Sequence, residues 1–474
     1  MSANPNRYQQ ALSLLRQSQQ RGLLSPIYHR LRRLELLAHK LQVDLQAPTV
    51  HIAGTSGKGS TSLLVSQILM SAGYKVGLHT TPHLQTVRER MQIDGQLITE
   101  DQFSQRFEHV YQQALQIEAK SSYGAFQRQE LLFMTALLHF QTENVDIAVI
   151  ETFMGGEYDP TNIIKPLVSC VTNVDLDHTR LLGKDLISIA MVKAGVIKPQ
   201  VPFVNGAIQP AVSELFARRA EDLGSPYIEI GQKHPRSAKS LGLNGSLLTA
   251  EVMNQFFYDL HLSLIGQHQI QNALMSLYLI QVLRSRGWLI ADLAIRQGLK
   301  QAFIPGRLEI VDHSPLTILD GAHNPAKCTA LAQSMRILFP KKRIIMVFAM
   351  KKGKDLLPSL KPLTKIVDKI IVTRFSERKG YATTDLAKLV RQNGIPCTTR
   401  LDPTKAYELA KDLAGHDGIV LITGSLYLVG LLRCLWHPVA YDGTLQEDHG
   451  KLIFQPGEPQ ALTDRLSWEK EQRG

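Results

Sequence analysis

The sequence predicts an α/β protein made of parallel sheets covered by helices on both faces, and three observations carry that reading. Apolar β-runs at 145–150, 167–172, 316–319, 344–348, 370–373 and 419–423 alternate with helical stretches, the pattern of strands joined by crossover helices. A β-rich run at 49–53 empties into a glycine loop followed by helical periodicity. At 474 residues the chain exceeds one typical domain, so two or three are expected.

The first element is the segment 49–61, TVHIAGTSGKGST. Val50 and Ile52 are β-branched and Ala53 ends the run. Gly54, Gly57 and Gly59 let the backbone approach an anion closely. Leu64, Val65, Ile68 and Leu69 recur at helical spacing, so a helix is expected from about Ser60, its free amides aimed at a phosphate. Lys58 adds a full positive charge. The pattern departs from G-x-x-x-x-G-K-[ST]: Ile52 stands where the first glycine belongs, and Gly59 where the magnesium-binding hydroxyl would be. A metal ligand must therefore come from elsewhere in the chain.

Further along, ligands of open α/β sheets collect beyond the carboxyl ends of strands. The short run KVGLHT is followed by Thr80, Thr81, Pro82 and His83, and Thr81 is the candidate for the missing hydroxyl. Glu151 directly follows DIAVI, where a carboxylate can hold magnesium. His178, in NVDLDHT, follows the next run. Lys193 lies in the largely apolar stretch IAMVKAGVIK, where desolvation would depress its pKa and permit reaction with carbon dioxide. A long helical region starts near Gln269, and the β/α alternation restarts after Pro305 and Gly306. The expected division is 1–304, 305–436 and an extension 437–474. The extension holds Pro438, Pro456 and Pro459 among many charges, and reads equally as an extra strand and helix or as a loose segment.

Composition excludes several classes. Lysine plus arginine is 53 against 42 acids, a formal +11, which suits anionic small molecules. No basic block or basic-aromatic array points to nucleic acid. The four cysteines, Cys170, Cys328, Cys397 and Cys434, lack C-x-x-C spacing, so neither zinc nor a disulfide framework is indicated. No apolar run approaches the roughly 18 residues of a membrane span, and the expected compartment is the cytoplasm. Arg7, Arg16, Arg21, Arg30, Arg32 and Arg33 precede the first acid, Glu35, and loosely imitate a transit peptide. Leu12, Leu15, Leu23, Leu31 and Leu34 among them fit helices packing on a core instead.

Together these segments resemble the folylpolyglutamate synthase and dihydrofolate synthase branch of the Mur ligase family. The matching stretches are GTSGKGS, TTPHL with RERM, the E-x-x-x-GG-x-x-D-x-TN run from Glu151 to Asn162, LDHTRLLG, VKAGVIK, IGQHQIQNA, PGRLE, LDGAHNP and ITGSLYLVG, in the family's order over about residues 5–435. The resemblance implies an N-terminal P-loop ATPase-like Mur ligase central domain and a C-terminal Rossmann-like domain. ATP is expected between them, with Gly54, Thr55, Gly57, Lys58, Gly59, Ser60 and Thr61 around the phosphates, Asn272 at the adenine, Arg307 at a phosphate and Asp320 at the nucleoside. Thr81, Glu151 and His178 match magnesium positions, and Lys193 matches the lysine carbamylated in relatives. Lys58, His178 and Lys193 are the expected catalytic residues. His323 of LDGAHNP receives no role. The implied reaction activates a folate or dihydropteroate carboxylate as an acyl phosphate that the amine of L-glutamate attacks, in a monomer that needs neither nucleic acid nor membrane.

Departures cluster at the acceptor side. Where relatives carry an aromatic-rich Phe-Phe-Glu segment, this chain has Gln127, Arg128, Gln129 and Glu130. Where they read Gly-Leu-Gly-Gly-Arg and Asp-Ala-Thr-Asn, it has Phe153, Met154, Gly155, Gly156 and Glu157, then Asp159, Pro160, Thr161 and Asn162. Gln127, Arg128, Gln129, Glu130, Tyr158, Asp159 and Pro160 are therefore the expected acceptor contacts, in a pocket with less stacking surface and one reversed charge. The same ligation on a different carboxylic acid, or a non-catalytic ATP-binding homologue, are the alternatives. A kinase or GTPase reading is weaker, since no N-K-x-D motif is present.

Overall fold

The protein is represented by a computed structural model that describes residues 5–21, 29–177, 179–231, 233–437, 439 and 442. His178 and most of the expected extension 437–474 therefore lie outside the described residues.

The first sheet has eight strands: β1 (Thr49–Ala53), β2 (Val76–His79), β3 (Gln92–Ile93), β4 (Gln96–Leu97), β5 (Ile147–Glu151), β6 (Val168–Val171), β7 (Phe203–Asn205) and β8 (Tyr227–Glu229). Their order is β4-β3-β2-β5-β1-β6-β7-β8. The six from β2 to β8 run parallel, while β3 pairs antiparallel with β2 and β4. All five residues of β1 are buried, as expected of a strand covered on both faces. Strand alternation sorts the side chains. Val50, Ile52, Ile147 and Val149 pack with Leu64, Val65, Ile68 and Leu69 of helix Lys58–Ser71 and with helix Gln267–Ser285. Ala148 and Ile150 face the opposite core, built from helices Pro5–Arg21, Arg30–Leu41, Glu100–Glu118 and Arg128–Thr142. Each such aliphatic side chain contributes about 1.5–3 kcal/mol by burial. Leu12, Leu15 and Leu34 belong to that second core, so the arginine-rich start of the chain is folded into the lobe.

The glycine loop turns into its helix at Lys58, two residues before the expected Ser60, because Gly57 itself is the N-cap. A small antiparallel sheet, which the apolar-run pattern does not reveal, follows: β9 (Ser237–Ser240), β10 (Ser246–Val252) and β11 (Gln255–Leu262). Met253 and Asn254 join β10 to β11 with φ of 49° and 66°, the double positive φ of a tight hairpin turn. Only alternate residues of β10 are buried, so no continuous apolar run marks it.

The second large sheet comprises β12 (Glu309–His313), β13 (Leu316–Leu319), β14 (Ile344–Phe348), β15 (Lys369–Val372), β16 (Cys397–Thr399) and β17 (Ile419–Thr423). Its order is β12-β13-β17-β14-β15-β16, parallel except for β12. Ile344, Met346 and Phe348 face one core, and Ile345 and Val347 the other.

One tie in the first lobe is electrostatic. Glu130 has no exposed surface, and its oxygens accept from Arg30 Nε at 2.8 Å and from Arg33 Nε and Nη2 at 2.8 and 2.5 Å. Two guanidinium groups thereby join helix Arg30–Leu41 to helix Arg128–Thr142. Removing one member of a buried pair leaves the other charge uncompensated. Glu130→Ala should lower unfolding free energy by about 3–5 kcal/mol, read by urea denaturation, whereas Glu35→Ala, whose ion pair with Arg32 is exposed, should change it by less than about 1 kcal/mol.

Candidate functional site

The loop after β1 is held by the residues that follow β6. Thr172 Oγ1 donates to the Ser56 carbonyl at 2.6 Å, and Asn173 Oδ1 accepts from the amides of Thr55 and Ser56 at 3.1 and 2.8 Å. Gly54, at φ 148°, passes so close that a Cβ would fall 1.9 Å from Thr172 Oγ1. Gly57, at φ 80°, turns the chain into the helix. The amides of Lys58, Gly59 and Ser60 then have no carbonyl partner within that helix, and they face outward with its positive dipole end. Lys58 Nζ folds back to the Gly54 carbonyl at 3.2 Å, above the same loop. The Thr61 amide is committed to the Gly57 carbonyl at 2.9 Å.

Glu151 ends β5 in register with Ile52. It is 4% exposed, and a Cβ on Gly59 would fall 3.4 Å from its Oε2. The Thr81 amide, rather than its hydroxyl, donates to that oxygen at 3.0 Å. Burial pushes the Glu151 carboxyl upward, and Lys58, the Thr81 amide, Arg307 and Lys327 pull it back. Charges from both large sheets thus act on one carboxylate. No three His, Cys, Asp or Glu side chains converge on a cation site among the described residues. A single carboxylate beside the glycine loop nonetheless fits magnesium, which is held by one or two carboxylates together with phosphate oxygens and water.

Lys193, in helix Leu186–Ala194, is 2% exposed. Its backbone packs on the loop after β5, where a Cβ on Gly156 would fall 2.8 Å from the Lys193 carbonyl. Burial, then Lys58, lowers its amine to about 7 against the pull of Asp177 and Asp159.

Across the cleft, Arg307 Nη1 donates to the Gly306 carbonyl at 3.2 Å. Asp320 accepts from the amides of Leu308 and Ala322 at 3.0 and 2.8 Å, stitching two loops. Asn272 Nδ2 donates to Gln269 at 2.8 Å, and its Oδ1 lies against Gly57, so it borders the glycine loop. His323 Nδ1 meets the Gly321 carbonyl at 2.7 Å, and burial among Lys327, Lys354 and Arg307 holds its imidazole neutral.

The chain is similar to known ligases throughout. The Mur ligase middle domain matches residues 52–280, and the Mur ligase glutamate ligase domain matches residues 306–426. The dihydrofolate synthase/folylpolyglutamate synthase of Bacillus subtilis is 32% identical over 406 residues, which span 85% of this chain and 93% of the relative. The chain belongs to the folylpolyglutamate synthase/dihydrofolate synthase family of Mur ligases. Mycobacterium tuberculosis folylpolyglutamate synthase complexed with ADP superposes with a TM-score of 0.82 at 27% identity, over 91% of this chain and 98% of that one. E. coli FolC in complex with DHPP and ADP gives 0.73 at 28% identity, over 85% and 92%. The protein is accordingly an ATP-dependent ligase that forms amide bonds.

Within this ligase, the residues expected to contact the acceptor lie at the start of helix Arg128–Thr142 and in the loop after β5. Glu130 is enclosed by Arg30 and Arg33, and Gln127 Oε1 accepts from Arg30 Nη2. Asp159, 1% exposed, accepts from the amides of Met154 and Thr161 and from Thr161 Oγ1 at 2.6, 3.0 and 2.6 Å. Glu130 and Asp159 are buried and take their partners from inside the protein, because burying a charge demands them, while Gln127 is half-buried. Tyr158 offers its carbonyl to Arg30 Nη1 at 2.9 Å, and Pro160 is buried at the start of a short 3-10 turn. Gln129 accepts from Arg90 Nη1 at 2.8 Å, and Arg128 is 2% exposed.

The sequence reading missed Asn173, Lys327 and Lys354. Asn173 was signalled by its place just after the strand beside β1. Lys327 was signalled by Asn324, whose side chain caps helix Pro325–Leu338 by accepting from the Lys327 amide. Lys354 has no local signal; its Nζ meets Asp177 Oδ1 at 3.9 Å across the cleft.

Because the Lys193 amine is held near 7 in the fold and near 10.5 in the unfolded chain, the unfolded state binds more protons between those values. Its buried charge therefore costs stability below about pH 7, and that cost is relieved as pH rises toward 10.5. The unfolding free energy of the parent minus that of Lys193→Met should rise over this window by up to about 1.4 kcal/mol per pH unit, measured by urea denaturation at several pH values.

Proposed function

We propose that this ligase joins L-glutamate to the carboxylate of a folate or dihydropteroate at the expense of ATP. The carrying observation is the convergence on Glu151 of the Gly59 backbone and the Thr81 amide with the charges of Lys58, Arg307 and Lys327. The helix-start amides and Lys58 bind the triphosphate, together with Gly54, Thr55, Gly57, Ser60 and Thr61. Asn272 and Asp320 border the nucleoside. A substrate carboxylate and a triphosphate repel each other, so Lys58 and Arg307 neutralise charge and align the carboxylate oxygen on the γ-phosphorus. The resulting acyl phosphate is attacked by the glutamate amine, and phosphate leaves. No covalent enzyme nucleophile is needed.

Glu151, with Thr81 and His178, would hold Mg2+, which when bound supplies further neutralisation of the phosphates. Lys193 near neutrality has a large fraction of free amine, the form that adds to carbon dioxide and releases a proton to give a carbamate. The negative product relieves the repulsion between Lys193 and Lys58. The division of labour is an ATP-binding part at 1–304 and a Rossmann-like part at 305–436, in a cytoplasmic monomer. A second reading, ligation of a different carboxylic acid, is favoured by Glu157 in place of an arginine and by Arg128 and Gln129 in place of aromatic residues.

Phosphate release from ATP should require L-glutamate together with dihydropteroate or a folate; turnover only with other acids would establish the second reading. Lys58→Ala should lower turnover by at least about a hundredfold, and parental activity in that variant would refute the loop assignment. In native mass spectra with labelled bicarbonate, a carbamate is expected on the parent and none on Lys193→Met.

A further inference from the structure

The loop from Thr80 to Arg90 is held at its start and in its middle by different parts of the molecule. At its start the Thr81 amide donates to Glu151 at 3.0 Å. Farther along, it is embedded in the second lobe. The Leu84 carbonyl would lie 2.0 Å from a Cβ on Gly430, and Gln85 Oε1 accepts from Arg433 Nη1. Arg433 Nε donates to both oxygens of Glu309 at 3.0 and 2.9 Å. Glu309 also accepts at 2.6 Å from the amide of Gly306, the residue before Arg307.

The middle of the loop is stiff. The amides of Leu84, Gln85 and Thr86 all donate to Glu89, at 2.7, 2.7 and 3.0 Å. Tyr8 Oη meets Thr86 Oγ1 at 3.1 Å and Arg90 Nη1 donates to Gln129 at 2.8 Å, and further contacts come from beyond helix Leu426–Arg433. The Val439 carbonyl accepts from Gln85 Nε2 at 2.8 Å. The Asp442 amide donates to the Gln85 carbonyl at 3.0 Å. Asp442 Oδ2 accepts from the Val87 amide at 2.8 Å and from the Tyr8 hydroxyl at 3.1 Å. One carboxylate therefore joins the first helix, the loop and the end of the second lobe, through charge-assisted bonds of the stronger kind.

We propose that Asp442 is a positioning residue for the ligation reaction: by clamping Gln85–Val87 it holds the loop in the placement that sets the Thr81 amide on Glu151. This rests on the reading of Glu151 as a residue of the phosphate site. The loop is rigid from Leu84 to Glu89, so a displacement at Val87 is carried back toward Thr81 rather than absorbed. Misplacement of catalytic groups by about 1 Å costs up to about a hundredfold in rate, so a clamp remote from the chemistry can govern it.

The test compares full-length parent, Asp442→Ala and Asp442→Asn, with Lys58→Ala as the control for the site itself. Asp442→Ala should lower kcat by about tenfold or more and weaken ADP binding measured by calorimetry in the presence of Mg2+, with the KM for L-glutamate little changed. Asp442→Asn keeps an acceptor oxygen and should restore most of both. A lowered melting temperature with parental kcat and ADP affinity, measured well below that temperature, would reduce Asp442 to a structural tie and overturn the proposal. So would equal losses in the Ala and Asn variants. If Lys58→Ala is inactive while Asp442→Ala matches the parent, the clamp alone fails; if Lys58→Ala is fully active, the reading of the site fails first.

Discussion

A carboxylate removed from water beside the glycine loop at a helix start is the constraint that organises this molecule. Glu151 is buried, and burial alone favours its neutral form. What keeps a negative charge sustainable there is drawn from both halves of the chain: Lys58 and the Thr81 amide from one side, Arg307 and Lys327 from the other. Separating the two sheets would leave Glu151 with fewer cations and would leave Lys327 and Arg307 with less to oppose their mutual repulsion. The meeting of the two sheets at Glu151 is thus an electrostatic contact.

The same logic explains the cost stored around it. Lys193 and Lys327 both lose affinity for protons, each through burial first and neighbouring cations second. Such crowding of positive charge is unfavourable in the protein alone and favourable once phosphate oxygens lie among the cations, so the site is preorganised for an anion. Away from the cleft, the first lobe solves a different problem. Arg30, Arg33 and Glu130 bury three charges that satisfy each other, a device of modest net stability that fixes how two helices meet.

Several elements were legible at once. The run TVHIA, its glycine loop and the following apolar periodicity identify strand, cradle and helix, because each depends on neighbours within a few residues. The β-runs at 344–348 and 419–423 are buried on both faces and read as continuous apolar stretches. Less legible were β10, where only alternate residues are buried, and β11, where only Phe257, Leu260 and Leu262 are buried and polar residues such as Gln255 and Asp259 interrupt the signal. The start of the helix at Lys58 shifted because a glycine in a left-handed conformation served as its cap. The surroundings of Glu130 were illegible for a related reason: a glutamate that faces a ligand is chemically indistinguishable, along the chain, from one that turns inward to two arginines about a hundred positions away.

The sequence by itself determined the strand-loop-helix cradle, the alternation that makes two parallel sheets, and the motifs that place the chain among amide-forming ligases, since all of these are written in short-range spacing and residue type. Only the tertiary structure decided that Lys327 acts on Glu151, that Glu130 and Asp159 face inward, and that Asp442 fastens the loop bearing Thr81. Desolvation and Coulomb interaction depend on distance in space, and contacts between residues hundreds of positions apart exist only after the chain has closed on itself.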